Sequence, residues 1–180
     1  MTANDTGNIQ LHFIGAGGVG MSGIARVAAD QGMTVTGSDI RDSRYTQQLR
    51  ESGIPVFIGH DPKNIPAGNP IVVVSTAILP NNPELAAAYE RGLAVWHRAK
   101  MLARLGQGLD TLGKTTTSAM LASTLDAMGK DPTFLIGGIV RAYGTNAHSG
   151  AGNAYVVEAD ESDKSFTYLS PKAVLVTNIG

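Results

Sequence analysis

The chain has 180 residues, enough for one domain or one and a half, and 43% of them are apolar, as in an ordinary soluble core. Fourteen Lys and Arg against fifteen Asp and Glu leave a formal charge of -1, which gives no electrostatic basis for binding nucleic acid or an acidic membrane surface. With no cysteine there is no disulfide and no thiolate metal site, the polar start MTANDTGNIQ lacks a signal-peptide core, and no apolar run approaches the ~20 residues of a membrane span, so a cytoplasmic location is expected.

In chain order, IQLHFIGAGG predicts a short apolar strand running into a glycine loop, and VGMSGIARVAADQG a helix ended by Gly32. MTVTGSD predicts a second strand, broken at Gly37, and RYTQQLRESG a helix ended by Gly53. IPVFIGH is a third strand. NPIVVVSTA is a fourth, whose run of apolar residues suits burial on both faces. NNPELAAAYERG is a helix with Pro83 in its first turn, LAVWHRA a fifth strand, and KMLARLG the start of a further helix. This alternation predicts a parallel, doubly wound α/β sheet over roughly residues 8–105.

Past Gly106 the pattern restarts. GKTTTSAMLASTLDAMGK reads as a loop and helix, PTFLIGGIV as a strand with a glycine break, and RAYGTNAHSGAGN as a polar loop. AYVVEADESD reads as a strand ending in acids and KAVLVTNIG as a last buried strand. A second α/β unit therefore begins here and is left incomplete.

Two glycine loops carry the chemistry. In GAGGVG, Gly15, Gly17 and Gly20 have the G-x-G-x-x-G spacing between a strand and a helix, the setting in which backbone approaches a diphosphate and a helix N-terminus offers it free N–H groups. Asp39 closes the second strand 19 positions after Gly20, where an acid commonly meets a ribose hydroxyl. The alternative is a packing loop with no ligand, and the spacing does not separate NAD from a UDP-linked sugar. In GQGLDTLGKTTT, Gly108, Gly113, Lys114 and Thr115 satisfy the phosphate-loop pattern, in which Lys114 would reach terminal phosphates and Thr115 would hold Mg²⁺. The helix expected downstream is present. The strand expected upstream is not, because RLGQGLD does not read as one.

Glu158, Asp160, Glu161 and Asp163 end a buried strand, where a hard cation would find oxygen ligands, with Glu158 nearest the strand end. A solvated acidic turn is the plainer reading unless a phosphate loop lies nearby. Thr145, Asn146 and His148 are equally well explained as turn chemistry. His12, His60 and His97 have no ligand spacing. His12 reads as half-buried, and Trp96 and the methionines as core.

Taken together, HFIGAGGVGMSGIA, GSD, VVVSTAI, RAKML, GKTTT, PTFLIGG, GTNA, EADESD and VTNI, in that order, resemble the Mur ligases of peptidoglycan synthesis from residue 9 onward, and GGVGMSGIA is far more specific than the bare fingerprint. The resemblance implies a Rossmann-like UDP-binding domain at residues 1–105 and the start of a P-loop α/β ATPase domain at 106–180. It implies that Gly15, Gly17, Gly18 and Gly20 line the UDP diphosphate, Asp39 lies by the uridine, and Ser75 and Thr76 flank the cleft. Thr145 and Asn146 would approach the sugar substrate. Gly113, Lys114, Thr115 and Thr116 would contact ATP, with Lys114 catalytic, and Thr115 and Glu158 would hold Mg²⁺. The implied reaction is that of the alanine-adding member. ATP phosphorylates the lactyl carboxylate of UDP-N-acetylmuramate and L-alanine attacks the acyl phosphate, while Lys114, Mg²⁺ and loop N–H groups offset the charge on the phosphoryl group.

The chain departs from the family form Ala-Gly-Thr-His-Gly-Lys-Thr. Relative to it, about six residues are missing between Leu112 and Gly113, and without them the phosphate loop is incomplete and no turnover is expected. Three other readings compete. One is a non-catalytic UDP-sugar-binding module. Another is a murein-peptide ligase of the same family. The last is an NAD-dependent oxidoreductase, which would leave GKTTT and EADESD unexplained.

Overall fold

Strand β1 (Gln10–Ile14) buries every residue but its first, and a parallel sheet forms on both sides of it. The computed structural model describes residues 9–112, 115–158 and 168–173, with backbone alone for 110–112, 115 and 116. The chain divides into two compact units, Met1–Met101 and Leu102–Gly180.

In the first unit β1 is followed by α1 (Val19–Asp30), β2 (Thr34–Asp39), α2 (Arg44–Glu51), β3 (Val56–Ile58), β4 (Ile71–Val74), α3 (Pro83–Glu90) and β5 (Val95–His97). All five strands are parallel in the order β3-β2-β1-β4-β5. The chain winds outward from β1 through β2 to β3, then crosses to the other side at β4. That reversal opens a crevice beyond the carboxyl ends of β1 and β4, the place where such sheets take ligands. Local chemistry sets the helix ends. Ser43 and Thr46 form a reciprocal capping box on α2, and Asn82 caps α3 ahead of Pro83. Gly32 and Gly53, both at positive φ, turn the chain after α1 and α2. On one side of the sheet Ile14, Ile65, Val72, Leu85, Ala88 and Leu93 pack into a core.

Gly37 does not break β2. The strand runs through it, paired to Phe13, and the glycine is there because a Cβ would come to 2.7 Å from the Cβ of Ala16 and 3.0 Å from the Phe13 carbonyl. The missing side chain is space for the glycine loop.

Helix α4 (Arg98–Leu105) starts in the first unit and ends in the second. After it come β6 (Asp110–Leu112), α5 (Thr115–Ala127), β7 (Thr133–Val140), β8 (Thr145–His148) and β9 (Ala154–Val157). Their sheet has the order β6-β9-β7-β8, parallel except for the antiparallel β7–β8 pair. Phe134, Ile136, Val140, Val156 and Ala122 form its core, and buried Tyr155 donates its hydroxyl to the Leu102 carbonyl at 3.1 Å.

Two expectations are corrected here. RAYGTNAHSGAGN is not wholly loop, because Thr145–His148 adds an edge strand to β7, with Val140 opposite Thr145 and Phe134 opposite His148. The segment before Gly113 does contain a strand, since Asp110–Leu112 pairs with Ala154–Val156. The acids Asp160, Glu161 and Asp163 and nearly all of KAVLVTNIG lie outside the described residues. No helix among the described residues is long and apolar enough to cross a membrane.

Candidate functional site

The crevice of the first unit gathers most of the residues singled out there. Gly15 leaves β1 at φ +80, and its N–H and that of Ala16 both donate to the Ser38 carbonyl, at 2.8 and 2.9 Å. The Gly17 N–H donates to Asp39 Oδ2 at 2.8 Å, and the Arg41 N–H donates to Oδ1 at 3.1 Å. The loop is thus hung on the last two residues of β2. Gly17 is the most tightly enclosed of its glycines, Gly15 is fixed by its positive φ, and Gly20 lies against the movable end of Arg98. A Cβ on Gly15 would sit 3.0 Å from the Ile78 side chain, one on Gly17 2.8 Å from Asp39 Oδ2 and 2.9 Å from Thr46, and one on Gly20 2.8 Å from Arg98 Nη1. Gly18, the N-cap of α1, has only ordinary contacts.

Helix α1 has neither a side-chain cap nor an acid in its first turn, so no side chain of the helix itself offsets the positive end of its dipole. The Arg98 guanidinium beside Gly20 adds a full positive charge at that end. In the sequence Arg98 stands out only as part of the string RAKML. Ser75 and Thr76 follow β4 two positions past the Phe13–Val73 pair, beside Gly15. Ser75 is half-buried, Thr76 exposed, and Ile78 N–H donates back to the Ser75 carbonyl at 3.1 Å.

Beneath the loop lies a buried polar cluster that the sequence did not announce. Glu84, on the first turn of α3, is fully buried. Ser38 Oγ donates to its Oε2, and His60 Nδ1 lies 3.2 Å from the same oxygen. Asn64 Nδ2 donates to Oε1 at 2.6 Å, as does the Asp61 N–H at 3.3 Å. His12 is fully buried, not half-buried. Thr36 donates to the Leu11 carbonyl, its oxygen lies 2.9 Å from His12 Nδ1, and Nε2 faces Glu84 Oε2 at 3.8 Å. Burial pushes the Glu84 carboxyl up, but the facing His12 imidazole and the hydrogen bonds from Ser38 and Asn64 outweigh it and hold the group below the usual glutamate range.

His148, Trp96 and the methionines have plain structural roles. Trp96 is half-buried under the Lys100 ammonium, 4.3 Å from its ring centroid. Met21, Met33 and Met101 are core, while Met120 and Met128 are exposed. His148 Nε2 pairs with Asp131 Oδ1 at 3.0 Å.

In the second unit Gly113 and Lys114 lie outside the described residues, as do the side chains of Thr115 and Thr116. Their frame is nevertheless informative. Strand β6 ends at Leu112 and α5 begins at Thr115, so two residues join strand to helix. Gly108 is in a turn before β6, at φ +86, and a strand therefore separates it from Gly113. The phosphate-loop pattern spans about eight residues from its first glycine, and here strand β6 occupies three of the positions between Gly108 and Gly113. Glu158 follows β9, and its Oε2 accepts from the Gly137 N–H at 2.6 Å. Among the described residues no group of three or more His, Asp or Glu comes together to hold a metal. Thr145 and Asn146 lie half-buried on β8, the edge strand.

A family model described as "Mur ligase family, catalytic domain" matches residues 10–108. A UDP-N-acetylmuramate–L-alanine ligase of Methylobacterium radiotolerans is 52% identical over 94% of this chain and 37% of its own. The chain thus spans little more than a third of the curated relatives it matches. Among solved structures, a UDP-N-acetylmuramate–alanine ligase of Thermotoga maritima superposes with a TM-score of 0.85 at 32% identity, covering 95% of this chain and 41% of that one. A murein peptide ligase of Psychrobacter arcticus superposes at 0.84 with 26% identity, over 93% and 42%.

Proposed function

Given that the chain belongs to the Mur ligase family, we propose that its first unit binds UDP-N-acetylmuramate through the UDP diphosphate, and that the ligase of which this sequence is characteristic joins L-alanine to that sugar nucleotide at the expense of ATP. The observation that carries the reading is the loop Gly15–Gly20 at the sheet's point of reversal. It brings the N-terminus of α1, which has no side-chain cap and no acid in its first turn, beside the Arg98 guanidinium. Gly15, Gly17, Gly18 and Gly20 would line the diphosphate, Ser75 and Thr76 the crevice wall, and Asp39 would hold the loop for the uridine end. Identity of 52% to a ligase named for L-alanine supports that amino acid over a murein peptide.

For the 180 residues themselves we propose binding without turnover. The two-residue link between β6 and α5 supports this, because Lys114 and Thr115 need a longer loop around the phosphates. The proposed location is the cytoplasm, where such nucleotide substrates are made.

Calorimetry tests the reading. UDP-N-acetylmuramate and UDP should bind, and ATP with Mg²⁺ should give no heat. Binding of NADH without binding of UDP would overturn it in favour of a dinucleotide enzyme.

A further inference from the structure

We propose that Glu84 is a positioning residue for the glycine loop, acting through Ser38. The inference rests on the UDP-binding reading above and asks what holds that site in shape.

A carboxylate is costly to bury unless its oxygens are multiply bonded. Glu84 meets that condition with partners from three separate stretches of chain besides its own helix. They are His12 on β1, Ser38 on β2, and His60, Asp61 and Asn64 in the segment after β3. Four of these could tie α3 to the sheet for stability alone. Ser38 differs, because both ends of this residue are occupied. Its hydroxyl is held by Glu84 and also lies 3.2 Å from His60 Nδ1, and its carbonyl receives the N–H groups of Gly15 and Ala16, the two amides that turn the chain out of β1 into the loop. Its neighbour Asp39 receives the next one, from Gly17. Ser38 is itself fully buried, so no solvent competes for the hydroxyl. A serine anchored at Oγ fixes the direction of its own carbonyl, and here that carbonyl sets where the first two loop amides point. The ligand-facing backbone is therefore oriented from helix α3, which follows β4 in the chain.

The test uses the whole chain. UDP is titrated calorimetrically into wild type, Ser38→Ala, Glu84→Ala, Glu84→Gln and the double variant Ser38→Ala/Glu84→Ala, and amide spectra are recorded without ligand. Loss of one buried hydrogen bond predicts about tenfold weaker binding for Ser38→Ala and for Glu84→Ala. The double variant should bind no worse than either single one, since both remove the same link. Glu84→Gln, whose amide oxygen still accepts from Ser38, should stay within about threefold of wild type. The Gly15 and Ala16 amide resonances should move in Ser38→Ala. A folded Ser38→Ala variant that binds UDP as wild type does overturns the proposal, as do losses that simply add. Should Glu84→Ala not fold, Ser38→Ala and Glu84→Gln decide alone. If wild type fails to bind UDP, the functional reading falls instead, and the spectra judge the positioning. Unmoved Gly15 and Ala16 resonances in Ser38→Ala then reject it.

Discussion

Gly17 and Gly18 stand side by side in the loop and tolerate substitution differently. Gly17→Ala drives a methyl into Asp39 Oδ2 and Thr46, whereas Gly18→Ala meets only van der Waals contacts. We expect Gly17→Ala to cost about 1–3 kcal/mol of stability and at least ~10-fold in UDP affinity, and Gly18→Ala to stay within ~3-fold, measured by denaturant titration and calorimetry. Glu84 yields a pH prediction. Its folded-state pKa lies below its unfolded one, so it contributes stability that is complete above the unfolded value and lost as pH falls through the folded one. The wild-type chain should lose stability below about pH 4.5, and Glu84→Gln, starting lower at neutral pH, should lose less over that range in acid unfolding followed by circular dichroism. The two residues also differ in legibility. Gly17 and Asp39 could be read from the sequence because a strand, a turn and a helix enforce fixed spacings. Glu84 could not, because an acid after Pro83 in a helix's first turn is the usual solvent-facing partner of the helix dipole. Its burial depends on residues 20 to 72 positions away.

At the scale of elements, the first unit followed its alternating pattern closely, and the departures have physical causes. Gly37 reads as a break from propensity alone, yet the strand continues because the space of its absent side chain is filled by Ala16. Strand β8 was read as loop because TNAH is polar and flanked by Gly144 and Ser149. What makes it a strand is the neighbour β7, whose edge it covers. Strand β6 is a three-residue case of the same kind, formed by pairing to β9 and not by its own composition. Its join to α5 gives the next prediction. Inserting about six residues that end in Ala-Gly-Thr-His between Leu112 and Gly113 should confer ATP binding, detected as heat with Mg²⁺-ATP, on a chain that otherwise shows none. An insertion of equal length made of Gly and Ser should not.

On the scale of the whole molecule, strand-helix alternation announced two α/β units but not their difference. The first sheet is parallel throughout, and the second mixes one antiparallel pair into a parallel set. A hairpin needs only a short connection, so no long-range signal in the sequence marks it. Because the glycine loop, its supports and Arg98 all belong to the first unit, residues 1–105 alone should bind UDP as tightly as the 180-residue chain, within ~2-fold by calorimetry. Loss of binding in that piece would place part of the site elsewhere.

The described edges of both sheets share one feature. β3, β5 and β6 have three residues each, and β8 has four. An unpaired strand edge is a template on which a second molecule can add its own strand, and it recruits in proportion to its length. Edges this short offer a hydrogen bond or two, too little to hold two folded chains together. Clumping on warming or at high concentration should therefore track the population of unfolded chains, and turbidity should rise only once the folded signal has begun to fall.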